Sequence, residues 1–319
     1  MKKAVVFITV KNVSSTIEEC LKSVLDLNFP KKDFDVLVID AFSTDGTWEK
    51  IKKFKTIKFM QYAGTAPETY NHALKKGLLD NYEFVAFTDG DCTVHKDWLI
   101  NLITGFSEGV GATGGRCITA SKSNLFQRLV GYDLDYRFET MADGLNVSRL
   151  PTMNLCVRTE VLKALNGFND GFVVGYDTDF GYRLRMKGFK LIYIKKAVVY
   201  HYHRSDMISF AKQKFKTASF VPLLYILYPS ELRGDEINPK AMFLQPLFFG
   251  LALISIFYLP AFLLFFTLFL IVSLKQVVQI YLTFKKPTVF LLILLYLYRT
   301  QITVVGLIYG VYKLLVRGI

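Results

Sequence analysis

Apolar runs alternate with amphipathic segments over the first part of the chain. Residues 3–10 form a run rich in β-branched side chains that stops at Lys11 and Asn12, the pattern of a buried strand. Similar runs occupy residues 34–39, 57–62 and 84–87. Between the first two runs, apolar residues from Ile17 to Leu25 recur at helical spacing. Strands that alternate with helices through short connections predict right-handed βαβ units and a mostly parallel sheet.

The pattern changes towards the C-terminal end. Residues 241–319 contain no Asp or Glu. Within them, residues 244–274 carry no charge and exceed the roughly 20 residues that one spanning helix needs. Because Pro260 lies in the middle, this stretch predicts either a hairpin of two short helices or one long kinked helix. A second apolar stretch, residues 288–312, is interrupted only by Arg299. We predict an all-α transmembrane region at 241–319 with two to three spans.

Basic residues accompany these apolar stretches. Three of them lie between the two stretches, namely Lys275, Lys285 and Lys286. The positive-inside rule places this loop in the cytosol, and with a cytosolic N-terminal domain it favours the hairpin and three crossings. Arg299, within a predicted span, indicates a phosphate or carboxylate partner inside the bundle, or a side chain that snorkels to the surface.

Residues 206–240 connect the two parts of the chain. They begin with three cationic positions, Lys212, Lys214 and Lys216, and become apolar and aromatic from Phe220. This order is typical of an amphipathic helix in the membrane interface. A helix packed on the N-terminal domain is the alternative.

Net charge and cysteine content narrow the class of protein. About half of the net charge of +12 comes from the acid-free tail. This distribution favours attraction to anionic lipids and diphosphates, and we expect no nucleic-acid partner. The four cysteines show no CxxC pairing, as in a reduced cytosolic domain. The first apolar run is too short for a signal peptide and is better interpreted as a strand.

Two carboxylates follow the strand at residues 84–87. Asp89 and Asp91, separated by Gly90, are expected just beyond the carboxyl end of a strand, where open α/β sheets bind their ligands. Two neighbouring carboxylates repel each other unless a cation lies close, and a hard ion such as Mg²⁺ or Mn²⁺ also takes phosphate oxygens as ligands. The tripeptide therefore predicts a metal–diphosphate site, with an acidic turn as the alternative. The absence of a GxGxxG or Walker sequence after the first strand argues against NAD and ATP.

Several motifs in their order and spacing resemble family 2 glycosyltransferases. They are residues 8–12, 38–40, 43–47, 66–73, 89–91, 152–158, 167–169 and 175–179, together with Arg183. The resemblance runs from about residue 4 to residue 205. It implies a GT-A fold, a Rossmann-like α/β domain that transfers a sugar from a nucleotide-sugar donor with inversion. We therefore predict a GT-A domain at 1–205, an interfacial helix and linker at 206–240, and the transmembrane region at 241–319.

The resemblance also assigns roles on the donor side. It implies that Thr9 and Asp40 line the nucleotide pocket and that Asp89 meets the ribose or a metal-bound water. Asp91 would bind a Mn²⁺ or Mg²⁺ ion directly, and Asp89 and His201 would complete the metal site. An imidazole ligand suits Mn²⁺ better than Mg²⁺; a buried structural histidine is the alternative.

One further donor-side residue has two possible roles. Asn71 either reaches the nucleotide or locks the start of its helix.

On the acceptor side, the resemblance implies that Asp177 is the general base. Tyr176 stands where the family usually has Glu, and this difference bears on acceptor recognition. Asn154 and Arg183 belong to the same side, while Asp179 is expected to cap a helix or pair with Arg183. If the acceptor is a phosphate monoester, no strong base is needed, and Asp177 would position the acceptor.

These features predict an enzyme of the cell membrane, multi-pass, with its catalytic domain in the cytosol. We expect it to move one sugar from a nucleotide-diphosphate sugar to a membrane acceptor: polyprenyl phosphate, a lipid-linked oligosaccharide or a glycolipid. No Gln-x-x-Arg-Trp sequence, typical of processive synthases, is present downstream. The alternative hypothesis is a membrane scaffold or flippase-like protein that carries a catalytically silent sugar-nucleotide domain.

Overall fold

A computed structural model describes residues 2–229, 235–237 and 241–317. The chain forms two compact units. The first contains Met1–Lys122 and Phe138–Tyr202, and the second contains Ser123–Arg137 and His203–Ile319. The second unit thus combines a short segment from the middle of the chain with the whole C-terminal part.

The first unit is built on one eight-stranded sheet. Its strands are β1 (Lys2–Val10), β2 (Phe34–Asp40), β3 (Lys58–Gln61), β4 (Tyr82–Asp89), β5 (Cys92–Val94), β6 (Val110–Thr119), β7 (Leu155–Arg158) and β8 (Lys190–His201). They lie in the order β3-β2-β1-β4-β7-β6-β8-β5. The pairs β1–β2, β1–β4, β2–β3 and β6–β8 are parallel, and β5 and β7 run antiparallel to their neighbours. The prediction of a mostly parallel α/β sheet is confirmed.

Helices connect these strands. They are α1 (Ile17–Leu25), α2 (Thr47–Ile51), α3 (Ala66–Lys75), α4 (Trp98–Thr104), α5 (Leu125–Thr140), α6 (Thr159–Ala164) and α7 (Tyr176–Met186), with a short 3-10 helix at Thr152–Asn154. The core on one face of the sheet joins buried residues of β1, such as Val6 and Ile8, to Leu21 of α1 and Trp98 of α4. Burial on both sides explains why β1 and β4 are continuous apolar runs rather than alternating ones.

The second unit is helical. It contains the first part of α5 and four further helices: α8 (Met207–Leu227), α9 (Ala241–Ile254), α10 (Leu259–Phe284) and α11 (Leu292–Arg317). Within the described residues, two helical segments, Leu259–Phe284 and Pro287–Val316, are long and apolar enough to cross a membrane, and a shorter apolar helix covers Met242–Ile254. These apolar C-terminal helices fit the predicted membrane region.

The uncharged stretch at 244–274 is divided between two packed helices joined by a short turn, as in the predicted hairpin, but the second helix is long rather than short. α9 ends at Ile254, and α10 begins at Leu259, with Pro260 in its first turn. Proline is tolerated there because the first N–H groups of a helix have no partner within the helix. The two helices are unequal in length, and α10 continues past Lys275. Lys275 is therefore part of a helix, and the prediction that it lies in a loop between spans was wrong.

A closed ring of hydrogen bonds links four helices of the second unit. Arg299 of α11 donates to Asp133 Oδ2 of α5 and, at 2.6 Å, to Gln245 Oε1 of α9. Gln245 donates to Gln276 Oε1 of α10 at 3.2 Å, and Gln276 donates to Asp133 Oδ1 at 2.9 Å. Tyr296 OH also donates to Asp133. The prediction of a carboxylate partner for Arg299 inside the bundle is confirmed, because the side chains of Arg299 and Asp133 are only 12% and 7% exposed.

Candidate active site

Three polar residues meet at one edge of the sheet because of strand register. Thr9 of β1 pairs with Asp89 of β4, and the next residue, Val10, pairs with Asp40 of β2. All three strands are parallel, so their carboxyl ends share this edge, where α/β sheets bind ligands. The structure thus brings together Thr9, Asp40 and Asp89, which the sequence had placed at the ends of separate strands.

The Gly90 turn between the two carboxylates is held by its surroundings. A Cβ atom at Gly90 would lie 2.6 Å from Val10 Cγ1, so only glycine fits without a shift. Thr16 donates its hydroxyl to Gly90 O at 2.8 Å, and the Cys20 thiol contacts Asp89 O at 3.4 Å. The start of α1 therefore sets the position of both carboxylates through the backbone.

Asp91 and His201 approach each other at the end of β8. Cys92 pairs directly with His201 across the antiparallel strands β5 and β8, and Tyr202 N donates to Asp91 O at 2.9 Å. As a result, His201 Nε2 lies 3.6 Å from Asp91 Oδ1. Potential ligand atoms of Asp91, Cys92 and His201 lie within 4.8 Å of one another.

The chemistry of these side chains fits a divalent cation. The structure brings together a carboxylate oxygen of Asp91 and an imidazole nitrogen of His201, and donors of these two kinds suit Mn²⁺. Cys92 is a poor third ligand, because burial, reinforced by the charges of Asp91 and Asp89, raises the pKa of its thiol well above the usual value. Of the three residues named from the sequence for a metal, Asp91 and His201 approach each other here, and Asp89 is not part of this group.

Asp40 is buried and well supported. Its carboxylate accepts hydrogen bonds from Ser43 N at 3.1 Å and from Gln61 Nε2 at 2.8 Å. Ser43 also donates its hydroxyl to the same group. These contacts hold the carboxylate at the end of β2, beside Val10.

Asp45 ties two loops together. It accepts from Thr47 N at 3.1 Å and from Ser14 N at 2.9 Å. Burial acts to raise the pKa of Asp45, but the hydrogen bonds from Thr47 and Ser14 outweigh it and lower that pKa to about 2. Asp45 is accounted for by this loop contact.

Asn71 and Arg183 both form hydrogen bonds with the backbone of residues 165–168, after α6. Asn71 Nδ2 donates to Phe168 O at 2.6 Å and its Oδ1 accepts from Phe168 N at 2.9 Å. Arg183 donates to Leu165 O at 2.8 Å and to Gly167 O at 3.0 Å, and pairs with Asp179 at 2.7 Å. These contacts tie α3 to the loop after α6, which is neither of the two roles considered for Asn71, and Asp179 forms the expected pair with Arg183.

Asn154 lies inside the core. It has no exposed surface, and its amide donates to Arg116 O at 3.0 Å and Ala197 O at 2.9 Å. Its Oδ1 accepts from Trp98 Nε1 at 2.8 Å. The acceptor-side role predicted for Asn154 therefore has no support in its surroundings, which indicate that it joins β7 to β6 and β8.

Asp177 stands in the first turn of α7. Gly175, with φ +77°, precedes the helix, and Thr178 N donates to Asp177 Oδ1 at 2.8 Å. Although Asp177 retains some exposed surface, enclosure by protein raises the pKa of its carboxyl, and the charge of Arg149 opposes this effect. A carboxylate with a raised pKa is suited to accepting a proton.

A group of hydroxyls near Asp89 adds two residues, Tyr70 and Thr152, to the site residues named from the sequence. Tyr70, in α3, lies 3.3 Å from Thr9 Oγ1 through its OH, and Thr152 Oγ1 lies 3.2 Å from Tyr176 OH. The Tyr70 and Tyr176 rings lie 6.2 Å apart. Burial, with Asp89 nearby, raises the pKa of Tyr70, so its OH stays a neutral donor. The only signal for Tyr70 was its place in the motif at residues 66–73.

The sequence profile described as glycosyl transferase family 2 matches residues 5–165, slightly more than half of the chain. The chain belongs to glycosyl transferase family 2. Asp177 and His201 lie beyond the matched residues.

Individual relatives agree with this membership. Glycosyltransferase AglE of Haloferax volcanii is 28% identical over 209 residues, which cover 61% of this chain and 66% of AglE. The dolichyl N-acetyl-alpha-D-glucosaminyl phosphate 3-beta-D-2,3-diacetamido-2,3-dideoxy-beta-D-glucuronosyltransferase of Methanococcus voltae is 23% identical over 331 positions, covering 96% of this chain and 95% of that protein. The chain spans about two thirds or less of the first curated relatives that it matches.

The fold has a solved counterpart. Mannosyltransferase PcManGT from Pyrobaculum calidifontis, in complex with GDP-Man and Mn²⁺, superposes with a TM-score of 0.57 at 18% identity. The match covers 99% of this chain and 87% of that protein. This similarity confirms the predicted GT-A fold.

Proposed function

We propose that this member of family 2 is an inverting glycosyltransferase that moves one sugar from a nucleoside diphosphate sugar to a membrane-associated acceptor. The observation that carries the proposal is the approach of His201 to Asp91, next to the strand ends that hold Thr9, Asp40 and Asp89. This arrangement combines a nucleotide-binding edge with donors for a divalent cation.

On the donor side, each residue has a distinct task. Asp40 accepts a hydrogen bond from the base, and Thr9 lines the nucleotide pocket. Asp89 meets the ribose or a metal-bound water, while Asp91 and His201 hold Mn²⁺ or Mg²⁺. When bound, the cation stabilises the negative charge that develops on the leaving diphosphate. The complex of PcManGT with GDP-Man and Mn²⁺ supports a nucleotide-sugar donor and a divalent cation.

On the acceptor side, Asp177 takes the proton of the attacking hydroxyl. The new bond forms at the anomeric carbon as the bond to the diphosphate breaks, which inverts the configuration. Tyr176 leaves this side with one carboxylate fewer than the family's usual Glu-Asp pair. If the attacking group is already a phosphate oxygen, Asp177 has no proton to remove and positions the acceptor instead.

The acceptor is proposed to be attached to lipid. Two helices long and apolar enough to span a bilayer support a multi-pass membrane protein. The cytosolic placement that we propose for the catalytic domain comes from the basic residues that accompany the apolar stretches. The name of the Methanococcus voltae relative describes transfer to a dolichyl-linked sugar phosphate, and that match covers nearly the whole chain.

The test is donor binding to purified full-length protein in lipid. A panel of UDP-, GDP- and TDP-sugars is measured with Mn²⁺, Mg²⁺ or EDTA, using wild type, Asp91→Ala and the control Asp97→Ala. Asp97 is a suitable control because it also lies near a histidine, with its Oδ2 3.7 Å from His95 Nδ1, away from the strand edge. We expect one nucleotide to bind only with metal, with binding lost in Asp91→Ala alone. No metal-dependent binding of any donor would overturn the proposal and favour a silent sugar-nucleotide domain.

A further inference from the structure

Cationic side chains gather around one carboxylate in the second unit. Asp133 accepts from Arg299, and Arg137 Nε donates to the backbone oxygen of the same Asp133 at 2.9 Å. Lys214 of α8 is close enough to feel the charges of Arg299, Arg137 and Asp133. Two arginines and one lysine therefore lie within electrostatic reach of Asp133 in a part of the chain dominated by apolar helices.

Lys214 differs from its two arginine neighbours in its bonding. Arg299 is engaged in the hydrogen-bonded ring, and Arg137 also donates to Ile237 O at 2.9 Å. Among the described residues, no carboxylate lies within salt-bridge distance of Lys214. The Lys214 ammonium instead lies over the ring of Phe210, with Nζ 5.3 Å from the ring centroid.

The surroundings of Lys214 are apolar. Phe210 is 1% exposed and packs with Val277, Ile280 and Tyr296, residues of the two helices long enough to span a membrane. Although Lys214 is only half-buried by exposure, loss of water contact, together with Arg299 and Arg137, lowers its pKa to about 8. A negative group close to Lys214 would stabilise its ammonium form.

α8 packs closely against α11 about one turn beyond Lys214. A Cβ atom at Gly306 of α11 would lie 2.7 Å from Ala218 Cβ, and one at Gly310 would lie 2.4 Å from Ser219 O. This close contact limits how far α8 can move relative to α11. The cation is therefore presented by a tightly packed helix pair next to apolar surface.

We propose that Lys214, with Arg137 and Arg299 behind it, binds the phosphate group of the acceptor lipid. This inference rests on the proposed function and narrows it: the acceptor carries a phosphate at the head of its apolar chain, as polyprenyl phosphate or a lipid-linked oligosaccharide does, and is not an uncharged glycolipid. A phosphate supplies the missing negative charge, and the apolar helices beside it suit the chain.

The test measures equilibrium binding of labelled polyprenyl phosphate to the full chain in nanodiscs of neutral lipid. The matching alcohol, polyprenol, reports binding of the apolar chain alone, and inorganic phosphate serves as a competitor. Lys214→Gln is compared with Lys212→Gln, a control that removes an exposed lysine from the same helix. Arg299 is left intact because its loss would break the ring.

We expect Lys214→Gln to weaken polyprenyl phosphate binding about tenfold and to leave polyprenol binding unchanged. Lys212→Gln should bind like wild type. Unchanged binding in Lys214→Gln, or an equal loss in Lys212→Gln, would overturn the inference. Displacement by inorganic phosphate at the concentration at which the lipid binds would also overturn it, in favour of a site for free phosphate.

Metal-dependent donor binding, measured on the same samples, separates this inference from the proposed function. If donor binding persists and Lys214→Gln binds polyprenyl phosphate like wild type, only the inference fails. If wild type binds no donor, the proposed function fails. If Lys214→Gln misfolds and therefore loses donor binding, Lys214→Arg, which keeps the positive charge, takes its place in the test. It is expected to retain lipid binding, and loss of lipid binding in a variant that still binds donor would contradict the inference.

Discussion

His201 Nε2 and Asp91 Oδ1 lie 3.6 Å apart, although His201 is outside the stretch that matches the family profile. Their approach depends on the pairing of β5 with β8, which no local pattern around Asp91 reveals. We expect His201, which this strand pairing places beside Asp91, to determine how strongly a cation binds.

The first prediction concerns this histidine. His201→Gln should raise the Mn²⁺ concentration for half-maximal activity at least about tenfold, because an imidazole ligand is replaced by a weaker amide. The measurement is a Mn²⁺ titration of sugar transfer. His95→Gln is the control, since His95 also lies beside an aspartate but at 41% exposure. Equal effects of both substitutions would exclude a specific role for His201.

A second prediction separates acceptor chemistry from donor binding. Asp177→Asn should lower kcat by about 10²- to 10⁴-fold while the donor binds as in wild type, because the amide cannot accept the hydroxyl proton. Single-turnover transfer and equilibrium donor binding measure the two quantities. A normal kcat would show that Asp177 only positions the acceptor, as expected for a phosphate monoester.

The pH dependence gives a third prediction. Burial raises the pKa of Asp177, and the charge of Arg149 lowers it. Arg149→Met removes the largest effect that opposes burial, so the pKa of Asp177 should rise further. Activity that needs the ionised carboxylate is lost as the pH falls through this pKa. In Arg149→Met the loss should therefore begin at a higher pH than in wild type. Profiles of kcat/KM against pH test this shift, with Lys187→Met, an exposed cation at the far end of α7, as the control. A shift towards lower pH would contradict the assignment.

Gly167 allows a comparison of two causes of strain. Gly167 and Gly188 both have positive φ, +71° and +83°, but only at Gly167 would a Cβ atom clash, 2.1 Å from Asn71 Oδ1. Gly188→Ala should lower the free energy of unfolding by about 1 kcal/mol, or the Tm by about 2–4 °C. Gly167→Ala should lower the Tm by more than twice that amount. Similar shifts in thermal unfolding would mean that the clash is easily relieved.

The ring in the second unit predicts strong coupling between its two charges. Asp133→Leu leaves Arg299 buried without its carboxylate and should destabilise the protein by about 3–5 kcal/mol. The double variant Asp133→Leu, Arg299→Met removes both charges and should recover much of this loss. Thermal unfolding in detergent of the wild type, both single variants and the double variant completes the cycle. Additive effects would show that the charges do not depend on each other.

The meeting of three polar residues at one edge of the sheet could be predicted because its signals are local. Thr9, Asp40 and Asp89 each end an apolar run, and parallel strands bring such ends to one edge without further information. The mostly parallel sheet followed from the same alternation of strands and helices.

Residues whose role depends on distant partners could not be predicted in this way. Asn154 sits in a motif, but its burial results from contacts with Trp98 and with the backbone of β6 and β8. For Arg299 the kind of partner could be predicted, because an isolated charge among apolar residues needs compensation. The identity of that partner, Asp133, could not be predicted, since nothing near Asp133 in the sequence marks it as part of the second unit.

The helix α5 has a practical consequence for cutting the chain. A soluble fragment ending near residue 205 follows the boundary suggested by sequence, yet it keeps residues 123–137, which belong to the second unit. Asp133 would lose every ring partner, and the apolar side chains of Phe126, Leu129 and Val130 would lose the cluster they pack against. Such a fragment would expose the apolar face of α5. Its aggregation on expression would therefore indicate a wrongly chosen boundary rather than an unstable catalytic domain.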